Sequence, residues 1–148
     1  MHHAEAADPD SDCACTTLRK ATRAVTRMYD DAMAQTGMSI VQFSILRAIA
    51  RHGSVPLMQL ANQMVMERTT LYRALKPIEA RGWVAIADTD GRAKLASLTQ
   101  AGRDAVAEAT GAWETAESML RGRIGAGEWT RIEASLSNLV AVAKERAT

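Results

Sequence analysis

The hydrophobic period of this chain changes once and then changes back. Up to Arg81 the apolar residues stand three and four apart; between Gly82 and Leu98 they fall into short extended blocks; from Thr99 the helical spacing returns. Spacing near 3.6 marks a helix with one buried stripe, and extended blocks around turn residues mark strands. The chain is therefore expected to be mainly α with a single small β-hairpin. An aromatic content of only 4% and abundant alanine also favour helix over a β-sandwich.

Each predicted helix has its own stripe and punctuation. Thr16–Thr36 carries Leu18, Val25, Met28 and Ala32, with Thr16 or Thr17 as cap and Gly37 as stop. Ser39–His52 buries Phe43, Leu46, Ile49 and Ala50 between a Ser39 cap and Gly53. Pro56 opens a short third helix with Leu57, Leu60, Ala61 and Met64 on one face, since proline suits a first turn. A fourth runs from Glu67 to about Arg81. The hairpin pairs Trp83–Ile86 with Leu95–Leu98 about an Asp90-Gly91 turn. Thr99 caps a long helix to about Arg121, with Val106, Trp113, Ala116 and Leu120 as its stripe. Gly122, Gly125 and Gly127 interrupt the chain, and a last helix from Glu128 carries Trp129, Ile132, Leu136, Leu139, Val140 and Ala143.

The fourth helix divides into two chemistries. Leu71, Leu75 and Ile78, at i, i+4 and i+7, supply an inner face. Arg68, Thr69, Tyr72, Arg73 and Lys76 fall outside it, with Thr70 near the boundary. A helix-turn-helix places one such helix in the major groove, where arginine reads guanine edges or phosphates and hydroxyls reach either. The hairpin behind it carries Arg92 and Lys94, in reach of the backbone or the minor groove. Pro77 removes the hydrogen bond to the carbonyl of Arg73. A kinked but continuous helix is expected, with a reading half before the proline and a connecting half after it.

Charge is compatible with this reading. The net +1 hides four acids in Met1–Asp12, which leaves +5 on the rest; Arg47 to Lys94 holds eight basic and four acidic residues. That is a modest basic bias, not a nucleic-acid tail. No Gly-rich phosphate loop, nucleophile elbow or metal-spaced His/Glu cluster appears, so an enzyme is not expected, nor a cofactor. No apolar run is long enough to span a bilayer, and no signal peptide is visible; the expected location is the cytoplasm, at the nucleoid.

The stretches "MSIVQFSILRAIARHGSVPLMQLANQMVMERTTLYRALKPIEARGWV" and "DTDGRAKLASLTQAG" resemble the MarR family of winged helix-turn-helix transcriptional regulators. The resemblance covers about Cys15 to Ala147. It implies a winged DNA-binding part at residues 39–98 and dimerisation helices at 16–36 and 99–147, within a single domain spanning 16–148. The polar, acidic composition before it points to a disordered tail over residues 1–15. It implies a homodimeric repressor on a pseudopalindromic operator in double-stranded DNA, with Asp90 orienting the wing and Arg92 in the minor groove. It also implies release by a small aromatic effector or, as in some relatives, by an oxidant at N-terminal cysteines. Two positions depart from the family pattern. Val65 stands where many relatives have glycine, and a β-branched residue dislikes the left-handed conformation, so a differently built turn is expected there. Glu67 is a poorer cap than the usual Ser or Asp.

Dimerisation also follows from the stripes of the terminal helices, which a small winged domain cannot cover alone. Cys13 and Cys15 stand one residue apart, too close for a strain-free intramolecular disulfide. They are candidates for redox or soft-metal sensing. The alternative to a DNA-binding regulator is a winged-helix interaction module that does not bind DNA.

Overall fold

A computed structural model describes residues 13–91 and 93–145. The elements run α1 (Ala14–Ala32), a 3-10 turn (Ala34–Thr36), α2 (Ile40–His52), β1 (Ser54–Pro56), α3 (Leu57–Met64), α4 (Arg68–Ala80), β2 (Val84–Thr89), β3 (Ala93–Leu98), α5 (Gln100–Ile124) and α6 (Ala126–Glu145). The chain divides into two compact units, one ending at Trp113 and the next beginning at Glu114.

The first unit is built around α2. Ser39 accepts from the amide of Gln42 while the Gln42 side chain accepts from the amide of Ser39, both at 3.1 Å. This reciprocal box satisfies two donors that a helix start leaves orphaned. Asp30 of α1 accepts from the next amide, Ile40, at 2.7 Å. From there Phe43, Ile45, Leu46 and Ile49 enter a core shared with Leu57 and Leu60 of α3 and with Leu71, Leu75 and Ile78 of α4. Each of the α4 residues is at most 1% exposed, so the inner face read from spacing is the buried face.

Several boundaries differ from the sequence reading. The first helix is shorter than Thr16–Thr36: it starts after Cys13, ends at Ala32, and hands over to the 3-10 turn closed by Gly37 at φ 70°. The hairpin is part of a three-stranded antiparallel sheet of order β1-β3-β2. Its extra strand pairs Ser54, Val55 and Pro56 with Ser97, Ala96 and Leu95. Pro56 thus ends a strand and precedes α3 instead of opening it. An edge strand tolerates a residue without an N–H. Gly122 lies inside α5, and the chain breaks only at Gly125, φ 94°. The last helix accordingly starts at Ala126, before Glu128.

The turn between α3 and α4 is a correction of another kind. Val65 adopts the left-handed conformation itself, φ 53° and ψ 42°. The amide of Met66 bonds to Ala61 O at 2.9 Å and that of Val65 to Asn62 O at 3.2 Å. These are the two closing bonds of a Schellman ending, which requires a left-handed residue. The turn is therefore built in the ordinary way with an unfavourable residue.

The wing is anchored at its base. Thr99 Oγ1 donates to Gly82 O at 2.5 Å and accepts from the amide of Gly102 at 3.0 Å, while the Thr99 amide bonds to Trp83 O at 3.1 Å. A Cβ on Gly102 would stand 1.9 Å from that same Trp83 oxygen. Only glycine lets the start of α5 approach so closely, which gives a physical reason for "LTQAG". Arg81 completes the joint: it donates to Gly37 O and stacks 4.0 Å from the centroid of Trp83.

Candidate nucleic-acid interface

Helix α4 starts at Arg68 without a side-chain cap from Glu67 and runs unbroken through Pro77 to Ala80. With Leu71, Leu75 and Ile78 turned inward, Arg68, Thr69, Thr70, Arg73 and Lys76 are all exposed and Tyr72 is half-buried. Thr70, expected near the boundary, is exposed like Thr69. Among the described residues no carboxylate pairs with Arg68, Arg73, Lys76 or Lys94. Such exposed cations suit an external anion.

The wing rises beside this helix. In β2 and β3, Val84 pairs with Leu98 at the base and Thr89 with Ala93 at the tip. Asp90 and Gly91 both take positive φ, 43° and 74°. Aspartate and glycine tolerate that region best, so the Asp90-Gly91 turn signal has a direct structural cause. Thr89 Oγ1 donates to Ala93 O at 2.7 Å and closes the loop. Asp90 and Lys94 are exposed; Arg92 lies outside the described residues. Between α4 and the wing lie two clefts of about 230 and 300 Å³, which share Tyr72, Asp88 and Lys94 in their walls.

Two further groups stand apart from this surface. Cys13 and Cys15 are exposed free thiols at the start of α1. Hydrogen bonds from the Thr16 side chain, and then from the backbone of Thr16 and Cys15, hold the Cys13 thiol below its usual pKa. The acidic tail before them, with His2 and His3, lies outside the described residues. Among the described residues no group of three metal-ligating side chains forms.

Arg47 was not singled out by the sequence. Its guanidinium lies 4.3 Å from the centroid of Trp113 and 5.6 Å from that of Phe43, and the two rings are 5.5 Å apart. It is half-buried and pairs with no carboxylate among the described residues. The Phe43–Arg47 spacing of one helical turn was the only local hint, because Trp113 arrives from α5.

The comparisons agree with this fold. The family model of the MarR family matches residues 36–93. The chain is similar to the Mycobacterium tuberculosis transcriptional regulator MosR solved in complex with DNA, at 32% identity over 90% of this chain and 98% of that one, TM-score 0.83. A second MosR structure matches at 30% identity over 91% and 98%, TM-score 0.79. NadR in complex with 4-hydroxyphenylacetate shares the fold at 20% identity, covering 89% and 95%, TM-score 0.69. Comparison with curated protein sequences finds no match. No helix among the described residues is long and apolar enough to cross a membrane. A winged helix-turn-helix with a donor-rich outer face, matched over nearly its whole length by a regulator seen on DNA, identifies the chain as a member of the MarR family of transcriptional regulators.

Proposed function

We propose that the chain acts as a homodimeric repressor on a pseudopalindromic operator, working in the cytoplasm at the nucleoid. Helix α4 enters the major groove, where Arg68, Thr69, Thr70, Tyr72, Arg73 and Lys76 meet base edges and phosphates. The wing lies along the backbone, with Arg92 in the minor groove, Asp90 orienting the tip and Lys94 on a phosphate. The observation that carries the reading is the division of α4 into a sealed apolar face and an exposed face whose cations pair with no carboxylate among the described residues. Similarity to MosR, solved with DNA, supports it.

Binding to the DNA upstream of its own coding region, followed by mobility shift across a salt series, tests the reading. Affinity should fall steeply with salt, by roughly 0.9 logarithmic units per phosphate contact for each tenfold rise. Arg73→Ala should weaken operator binding by about tenfold or more, the range of a lost bidentate base contact. No binding at low salt by a folded dimer would reject the repressor and leave the interaction module.

Release is assigned to a small aromatic acid. Arg47, held on Trp113 and Phe43 with no carboxylate partner among the described residues, offers a cation beside aromatic walls, which suits such a ligand. NadR's 4-hydroxyphenylacetate shows that the fold can hold one. A thermal-shift screen of phenolic and aromatic acids should yield a stabilising ligand whose effect disappears in Arg47→Met. The lowered pKa of exposed Cys13 favours a second signal, an oxidant. A Cys13→Ser, Cys15→Ser double variant that still left DNA normally on peroxide treatment would eliminate that route.

A further inference from the structure

The outer half of the wing has no core of its own. Beyond Ile86 on β2 and Leu95 on β3, Ala87, Asp88, Thr89, Ala93 and Lys94 are all exposed. Hydrogen bonds between the two strands give the hairpin its shape, but they do not fix its angle to α4. Clefts of about 230 and 300 Å³ lie between the two elements, and Tyr72, Asp88 and Lys94 line both. Asp88 and Lys94 are cross-strand partners on the wing. Tyr72 comes from α4, and its ring also packs against the core.

Two cations that DNA binding would use converge on that ring. The Lys94 ammonium stands 5.8 Å from the ring centroid and the Arg68 guanidinium 5.3 Å. Arg68 Nη2 also donates to Tyr72 Oη at 3.3 Å. Both distances fall within the range of cation–π attraction, about 6 Å. The ring is half-buried and packs against the core; the two cations are long side chains with no carboxylate partner among the described residues. Holding them in place before binding lowers the ordering cost of the complex.

We infer that Tyr72 is a positioning residue: its ring sets the wing against the recognition helix through Lys94 and aims Arg68, so that phosphate contacts by both depend on a neutral side chain. The inference rests on the proposed DNA reading but makes a separate claim about the free protein. Contact between Tyr72 and DNA alone would need none of these couplings.

The test compares Tyr72→Leu, Tyr72→Phe and Lys94→Gln. Tyr72→Leu removes no charge, yet it should lower the salt slope by about 1.8, the loss of the Lys94 and Arg68 phosphate contacts together. It should weaken operator binding by about tenfold or more, while Tyr72→Phe, which keeps the ring and loses only the hydroxyl, should weaken it less and leave the salt slope unchanged. In the Tyr72→Leu background, Lys94→Gln should add almost nothing, because a contact already lost cannot be lost twice. In the free protein, amide exchange over residues 88–95 should quicken in Tyr72→Leu and Lys94→Gln but not in Tyr72→Phe. An unchanged salt slope, additive losses or unchanged exchange would overturn the inference. Equal weakening by Phe and Leu would do so too, since the hydroxyl would then be the contacting group. Should Tyr72→Leu fail to fold, the exchange response of Lys94→Gln, an exposed site, decides. That arm needs no DNA, so a failure of the regulator reading is seen separately.

Discussion

Helices α2 and α6 put their apolar residues to opposite uses. In the 13 residues of α2, Phe43, Ile45, Leu46, Ala48 and Ile49 are buried. In the 20 residues of α6 none is, and Leu136, Leu139, Val140 and Val142 are 38–55% exposed. The difference is one of partners, since α2 meets α3, α4 and the sheet within one chain. The winged part is finished by its own sequence, whereas α6 keeps several large apolar side chains exposed among the described residues. Helix α1 shares this condition: only Tyr29 is buried, and Leu18 and Val25 are 37% and 36% exposed. Faces of this kind usually mark an interface, and a second copy is the partner proposed above.

The comparison is broken most directly inside the winged part. Leu71→Ala, at 1% exposure, should cost about 2–5 kcal/mol by urea or thermal unfolding. That loss should appear at every protein concentration, because no second chain is involved. A cost below about 1 kcal/mol would mean that α4 is not locked to the core, and the two-faced reading of that helix would go with it.

The opposite experiment belongs on α6. A Leu136→Glu, Leu139→Glu variant changes two side chains that are 38% and 45% exposed in the single chain. As free surface, each would shift stability by no more than about 0.5 kcal/mol. Buried against a second copy, each leucine contributes roughly 1.5–3 kcal/mol. The dimer dissociation constant should then rise by about a hundredfold or more in sedimentation equilibrium, with operator binding lost alongside. An unchanged association state would show α6 to be a solvated surface.

What could be read in advance follows the same division. The inner face of α4 was legible because its buried residues sit at i, i+4 and i+7, a signal local to one helix. The exposed stripe of α6 was legible for the same reason, as excess apolar surface that calls for a second copy. Strand β1 was missed because it has three residues, only Val55 buried, and its pairing partner β3 lies far along the chain. Gly102 was one glycine in a helix until the Trp83 carbonyl appeared opposite it. Arg47 and the Tyr72–Lys94 contact depend on residues brought together only by the fold. DNA contact by Arg68, Arg73, Lys76 and the wing remains a proposal that rests on exposure and chemistry.

A smaller effect separates the two helix starts. Ser39 begins α2 with a complete capping box, while Cys13 begins α1 with no side-chain cap. Ser39→Ala should therefore cost about 1 kcal/mol, read as a lower urea midpoint with an unchanged slope. A neutral outcome would place the stability of the α2 entrance elsewhere, with Asp30 and its 2.7 Å bond to the Ile40 amide as the next residue to test.

The smallest expected effect has the opposite sign and lies at Val65. A left-handed conformation costs a non-glycine residue roughly 1–2 kcal/mol, and a β-branched one more than most. The side chain recovers little of this, since it is 58% exposed. Val65→Gly removes the steric cost but gives the unfolded chain more freedom, worth about 0.5–1 kcal/mol. The balance should stabilise the winged part by about 0.5–1 kcal/mol, measurable as a raised urea midpoint. The gain should not depend on protein concentration, because the turn lies wholly inside the part that one chain completes. A loss of stability would mean that the Val65 methyl groups stiffen the joint between α3 and α4 by more than the conformation costs. The departure from glycine would then be a stabilising feature of this chain.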